Sequence, residues 1–229
     1  MITIGMILFD GMTQLDLTGP LEVFTRFPDT VVHLIAKENE PVQCDRGLAI
    51  IPDTSFKDCP GNLTVLFIPG GPGVSGLLEN TSYINFIRSK KDSTYITSVC
   101  TGSLVLAACG LLKGFKATTH WLSLDLLKRF NVELADKRVV IDRNRITGGG
   151  VTSGIDFALT LASILLGEEQ AKEIQLMIEY NPHPPFNSGH PSLADDGMVR
   201  MVKQKRAEAQ EKRREEIDRF LLNHTDLLN

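Results

Sequence analysis

The stretch Thr94 to Gly110, TYITSVCTGSLVLAACG, constrains this chain most. It opens with Thr94, Tyr95, Ile96, Thr97 and Val99, β-branched or aromatic residues that favour a strand. It closes with Leu104 to Ala108, which favour a buried helix, and Gly110 supplies a stop. Cys100 sits at the joint, followed by the small residues Thr101, Gly102 and Ser103. A strand that turns into a helix through such a run bends sharply and lifts one side chain above the sheet, the geometry of a nucleophile elbow. The helix beginning there aims free N–H groups and a partial positive charge at the sulfur, so a lowered thiol pKa is expected. A buried Cys used as a small hydrophobe explains the same segment equally well.

The chain on either side repeats the alternation of strand and helix. Ile2 to Phe9 is a continuous apolar run that reads as a buried parallel strand, and Asp10-Gly11 turns it. A helix follows, with Leu17, Leu21, Val23, Phe24 and Phe27 to bury. Asp16 lies just past the carboxyl end of the first strand, the edge where open parallel sheets collect ligands. Asp16 or Thr18 also suits a plain helix cap, and Pro20 suits a first helical turn. Val31 to Ala36 reads as a second strand, and Val42 to Ile51 as a hairpin turning at Asp45-Arg46-Gly47. Leu63 to Ile68 is a third buried strand, ending in Pro69-Gly70-Gly71-Pro72-Gly73. Glycines at that position bring backbone N–H groups close to a ligand and suit an oxyanion site, or they make a tight turn alone. The run matches neither nucleotide-binding glycine pattern.

Beyond Gly110, Lys113 to Trp121 is a connector carrying His120, and Leu122 to Phe130 a short helix. Arg138 to Ile141 and Arg145 to Thr147 read as a hairpin, and Gly148-Gly149-Gly150 opens a buried helix from Thr152 to Leu166. Glu168 to Tyr180 is a further helix. The Pro-rich run Asn181 to Pro191 cannot be helical and is expected as a fixed loop. Ser192 to Asn223 reads as a long charged helix capped by Ser192, its Lys, Arg and Glu forming a solvated face and Ile217, Leu221 and Leu222 an apolar strip. The whole is expected to be an α/β fold: a mostly parallel sheet covered by helices on both faces. One domain over residues 1–229 is expected, with 168–229 as a C-terminal helical extension. Asp16, Gly70 to Gly73 and Cys100 all fall at carboxyl ends of strands, so neighbouring strands bring them to one edge. That convergence favours Cys100 as a functional thiol.

Composition excludes several classes. With 42% hydrophobic and 23% charged residues and a net charge of −4, nothing draws the chain to nucleic acid or an anionic membrane. No run reaches membrane-spanning length, and the first apolar run is too short and lacks the basic flank of a signal peptide. Cys44, Cys59, Cys100 and Cys109 show no CxxC spacing, so reduced thiols and a cytoplasmic location are expected. His183 and His190 have no metal-ligand spacing with each other or with a Cys.

The stretches FDGMTQLDLTGPLEVF, FIPGGPG, SVCTGSLVLAACGLLKGFKATTHW and EYNPHPPFNSGHP resemble the ThiJ/PfpI superfamily, flavodoxin-like relatives of the class I glutamine amidotransferases, and so imply a flavodoxin-like sheet with a nucleophile elbow. Within it they resemble the isonitrile hydratases most. The first three stretches recur broadly, including in the amino-terminal domains of some AraC-type regulators; the fourth is more specific. The resemblance implies hydration of isonitriles to N-substituted formamides through a covalent Cys thioimidate, with Cys100 as nucleophile, Asp16 as its acidic partner and Thr101 as a second hydroxyl. Gly70, Gly71 and His120 are implied as oxyanion or substrate contacts, although a packed, hydrogen-bonded role for His120 is the simpler one. Many superfamily members carry His after the Cys and a Glu in the first helix; here Thr101 follows Cys100, and Asp16 matches the hydratase carboxylate better than Glu22 does. No cofactor or metal is implied, and a homodimer is expected. A sensing module related to the AraC-type regulators is the alternative from another class, and a glyoxalase-like hydratase or redox sensor a third.

Overall fold

In the computed structural model, which describes residues 1–225, the apolar runs of the sequence become alternating strands and helices. The first half comprises β1 (Ile2–Ile7), α1 (Gln14–Phe24), β2 (Thr30–Ala36), β3 (Val42–Gln43), β4 (Ala49–Ile50), β5 (Thr54–Ser55), β6 (Val65–Ile68), α2 (Val74–Glu79), α3 (Thr81–Ser89), β7 (Tyr95–Val99) and α4 (Gly102–Ala108). The second half comprises β8 (Lys116–Ala117), α5 (Leu124–Lys128), β9 (Glu133–Leu134), β10 (Val139–Asp142), β11 (Arg145–Gly148), α6 (Ser153–Leu166), α7 (Glu168–Met177) and α8 (Asp196–Asn223). The last four residues of the expected 168–229 extension lie outside the described part.

Seven strands form one sheet in the order β10-β11-β7-β6-β1-β2-β5. All neighbours are parallel except β10 and β11, the expected hairpin. The expected hairpin at Asp45-Arg46-Gly47 also forms, as the antiparallel pair β3 and β4. The inner strands β1, β6, β7 and β11 are buried along almost their whole length, as a sheet covered on both faces requires. Phe24 of α1, Phe67 of β6 and Phe157 of α6 meet edge to face or tilted, with ring centroids 5.5 to 6.3 Å apart. Each ring is fully buried, so truncation to Ala would remove about 3–5 kcal/mol.

Four local expectations are corrected. Asp16 and Thr18 do not cap the first helix: Thr13 occupies the cap position, Asp16 lies in the first turn, and the Thr18 hydroxyl bonds back to Gln14 O. Pro20 lies inside α1, where its missing N–H deprives the Asp16 carbonyl of the usual helical donor. Helix α8 begins at Asp196, not Ser192, because the Asp195 carboxylate accepts from the N–H groups of Gly197 and Met198 at 2.8 and 3.3 Å. On the same helix Ile217, Phe220 and Leu221 are buried, whereas Leu222 is 77% exposed and leaves the apolar strip.

The stop at Gly110 is as expected. Gly110 adopts φ +75°, and Leu111 N–H reaches Leu106 O at 2.9 Å while Gly110 N–H reaches Ala107 O at 2.9 Å. These paired bonds are the Schellman closure that a left-handed residue permits. The run 181–191 is non-helical, as its prolines dictate, and closes with Trp121 and the first turns of α8 around a small cavity. Among the described residues no helix is long and apolar enough to cross a membrane.

Candidate active site

Strand β7 ends at Val99 and helix α4 starts at Gly102, so Cys100 occupies the turn between them. Its φ is +53°, a conformation that a residue with a side chain rarely adopts, and the surroundings hold it there. Its N–H is shared between the carbonyls of Gly148 and Gly149, at 3.1 and 2.8 Å. Its carbonyl accepts from the Thr119 hydroxyl at 2.7 Å. Two residues past neighbouring β6, Gly70 approaches so closely that a Cβ there would lie 2.5 Å from Thr101 N and 2.7 Å from Cys100 Cβ. Only glycine allows that approach.

The same approach brings in Asp16, which is fully buried. Its Oδ2 accepts from Gly70 N–H at 3.1 Å, while Oδ1 has no conventional hydrogen-bond partner and leaves the carboxyl to interact with the Cys100 sulfur. Burial pushes the Asp16 pKa up to about 7, against the opposing pull of the Cys100 and Gly70 donors, with the charge of Asp45 adding to the rise. The convergence of the Asp16, Gly70–Gly73 and Cys100 segments expected from the sequence is therefore present.

The lowered thiol pKa expected from the helix start is not. Burial, and then the Asp16 charge, raise the Cys100 pKa far above the usual thiol value. The N–H groups of Thr101 and Val151 favour the sulfur anion but are outweighed. A thiolate here needs a proton on Asp16, so the two groups titrate as one unit.

The roles expected for Gly71 and Thr101 also change. Gly71 N–H donates to Thr101 Oγ1 at 2.9 Å, and that hydroxyl donates back to Gly71 O at 3.2 Å. The Thr101 hydroxyl thus ties the glycine loop to the elbow, and the Gly71 N–H is already engaged. His120 Nδ1 accepts from Leu122 N–H at 3.3 Å, and the ring packs on Gly150, beside Val151. Burial, then Arg213 and Arg206, depress its pKa to about 4, so it is neutral near pH 7.

Three contributors escaped the sequence reading. Thr119, inside the ATTHW stretch, holds the elbow carbonyl. Val151, at φ +29°, turns its N–H to the sulfur straight after the glycine run. Arg213, on the face of α8 expected to be solvated, reaches Gly71 O with Nη2 at 3.5 Å. Spacing pointed to none of them; only the quoted ATTHW stretch held a signal, for Thr119. Among the described residues no group of three or more His, Cys, Asp or Glu side chains is placed to hold a metal ion.

A sequence profile described as the DJ-1/PfpI family matches residues 3–164. An isonitrile hydratase of Pseudomonas putida is 50% identical over 199 residues, covering 86% of this chain and 87% of that protein. A glutathione-independent glyoxalase, DJR-1.2 of Caenorhabditis elegans, is 31% identical over 137 residues, covering 59% of this chain and 73% of its own. The crystal structure of a ThiJ/PfpI family protein from Pseudomonas syringae superposes with a TM-score of 0.92 at 42% identity, covering 94% of this chain and 90% of the other.

Proposed function

Because this chain belongs to the DJ-1/PfpI family, we propose that it is an enzyme hydrating isonitriles to N-substituted formamides, with Cys100 as nucleophile and Asp16 as proton carrier. The observation that carries the reading is the buried carboxyl beside a buried thiol, with no His among the described residues that act on the sulfur. The likeness to the Pseudomonas putida isonitrile hydratase supports it.

The working state of the pair holds one proton, as thiol with carboxylate or as thiolate with acid. Asp16 gives that proton to the terminal carbon of R–N≡C, which supplies its lone pair. The sulfur pair closes on the same carbon, and the result is the thioimidate R–N=CH–S with Asp16 as carboxylate. Asp16 next takes a proton from water as the water oxygen bonds to carbon. The C=N π pair moves to nitrogen, which receives that proton. In the tetrahedral adduct the C–S bond breaks, sulfur leaves with its electron pair, and the hydroxyl proton goes to Asp16. The formamide R–NH–CHO departs and the one-proton pair is restored. The N–H groups of Thr101 and Val151 face the sulfur and stabilise its anion on each departure.

The reading includes a homodimer, supported by apolar side chains at the C-terminal end: Leu176 is 81% exposed and Phe186 78%. Purified protein incubated with a small alkyl isonitrile should form the matching formamide, and the sedimenting species should have twice the chain mass. Absence of formamide with turnover of an α-oxoaldehyde would replace this reading by the glyoxalase-like one, which the Caenorhabditis elegans relative favours.

A further inference from the structure

Arg213 stands out among the charged groups near the elbow. Its side chain is partly buried against the site, burial lowers its pKa, and the charge of Cys100 is the first influence opposing that fall. Among the described residues no carboxylate lies within ion-pair distance of it. Its Nε is buried with no hydrogen-bond partner, and its Nη2 has only the long 3.5 Å contact to Gly71 O. Glu216, one turn further along α8, is buried too and its charge favours the guanidinium, but its Oε2 has no hydrogen-bond partner and closes no ion pair with Arg213. A partly desolvated cation whose hydrogen-bonding N–H groups are unpaired is unfavourable to keep in a folded protein. Guanidinium has the planar fork that matches a carboxylate.

The location of this guanidinium gives it a meaning. Gly71 O, which Arg213 touches, is the atom bonded by the Thr101 hydroxyl, and Thr101 follows the nucleophile directly. One face of α8 carries Arg206, Gln210 and Arg213 past this edge; Gln210 accepts from Ser123, and both arginines act on the neutral His120. Arg206 and Arg213 therefore place positive charge at this edge of the site, while the protein as a whole carries a net charge of −4.

We propose that Arg213 is the anion-recognition group of the site and that the preferred substrates are isonitriles bearing a carboxylate on the R group. This assignment rests on the isonitrile reading above, but the site's affinity for a carboxylate is measurable without it. The isocyano carbon sits at Cys100 and the carboxylate pairs with the guanidinium, next to Gly71. The natural substrate class is then an isocyano acid, and the product an N-formyl amino acid or a related formamido acid.

Two measurements decide it. The first is alkylation of Cys100 by iodoacetate and by iodoacetamide, which present the same carbon with and without a carboxylate. The parent should react with iodoacetate in a saturable manner. In Arg213→Met the ratio of iodoacetate to iodoacetamide rates should fall by about ten- to a hundredfold, the range of one charge-assisted contact. An unchanged ratio overturns the proposal whatever the enzyme hydrates. The second compares kcat/KM for isocyanoacetate and its methyl ester. The parent should favour the acid by about tenfold or more, and Arg213→Met should erase that preference mainly through KM. Equal losses for acid and ester would make Arg213 a general support of the site and sink the proposal. Failure of both isonitriles to react, with the alkylation ratio still dependent on Arg213, would sink the hydratase reading and leave the anion site standing.

Discussion

Two buried thiols stand at opposite ends of one short helix, and they differ in everything except burial. Cys100 precedes α4 and Cys109 caps its far end. They are 5% and 6% exposed. Burial raises both pKa values, that of Cys109 to about 12. Cys109 meets a long contact to Ile84 O at 3.8 Å and the opposing charge of Arg88. Among the described residues no acid acts on it, and it sits in an ordinary right-handed backbone conformation. Cys100 sits at φ +53°, with Asp16 beside the sulfur and two backbone N–H groups turned to it. The lesson is that neither burial nor a helix end makes a thiol reactive. On the reading proposed above, the difference is a partner that can take the proton and return it.

The largest expected effect breaks the pair apart. Cys100→Ala should abolish formamide production, since no other group can form the covalent adduct. Cys109→Ala should stay within a few-fold of the parent while losing about 1 kcal/mol of stability from the small cavity left in the core. Steady-state turnover and urea unfolding of the two variants separate these outcomes. Loss of activity in Cys109→Ala without loss of fold would erase the distinction.

Removing the partner acid comes next. Asp16→Asn keeps the shape and can still accept from Gly70 N–H, but it can neither donate to carbon nor activate water. Hydration should fall by about a hundredfold or more with the fold intact. Near-parental turnover would reduce Asp16 to a buried helix residue.

Thr101→Val tests the link between elbow and glycine loop. The change removes a hydroxyl at nearly constant volume and leaves the buried Gly71 N–H without its 2.9 Å acceptor. The loop should shift relative to the sulfur, and the rate should drop by about ten- to a thousandfold. An unchanged rate would show that the tie is dispensable.

The smallest effect is in pH dependence. Burial raises Asp16 from 3.8 to about 7, so below pH 7 the pair holds two protons and above it one. If the one-proton state works, kcat/KM should rise as pH passes from 6 to 8, with a midpoint near 7, and Asp16→Asn should lack that step. Stability moves the opposite way. A raised carboxyl pKa stabilises the fold at low pH, and that contribution is lost as pH climbs through the folded value. Between pH 6 and 8 the parent should therefore lose on the order of 1 kcal/mol relative to Asp16→Asn. A rate that falls through pH 7 would assign the work to the doubly protonated pair.

Much of this molecule was legible in its residues because its strands are written as apolar runs and its turns as glycine clusters. Ile2 to Phe9, Leu63 to Ile68 and the Cys100 segment identify inner parallel strands, and their carboxyl ends predict where Asp16, Gly70 and Cys100 meet. What stayed hidden depended on the third dimension. The sign of the Cys100 pKa shift follows from the depth of burial and from Asp16, neither of which is a property of the segment itself. The cap of α8 fell to Asp195 because both Ser192 and Asp195 are good caps and spacing does not rank them. Arg213 was hidden among the many charges of α8, and only the packing of that helix beside the site distinguishes it from its neighbours.

The most direct test is a mass spectrum of the protein quenched after brief exposure to an isonitrile. Addition of a thiol across the terminal carbon loses no atoms, so the adduct should weigh the full mass of the isonitrile. The account predicts one such adduct per chain, on the peptide containing Cys100 and absent from Cys100→Ala. An adduct on the peptide containing Cys109, or formamide production by Cys100→Ala, would contradict it.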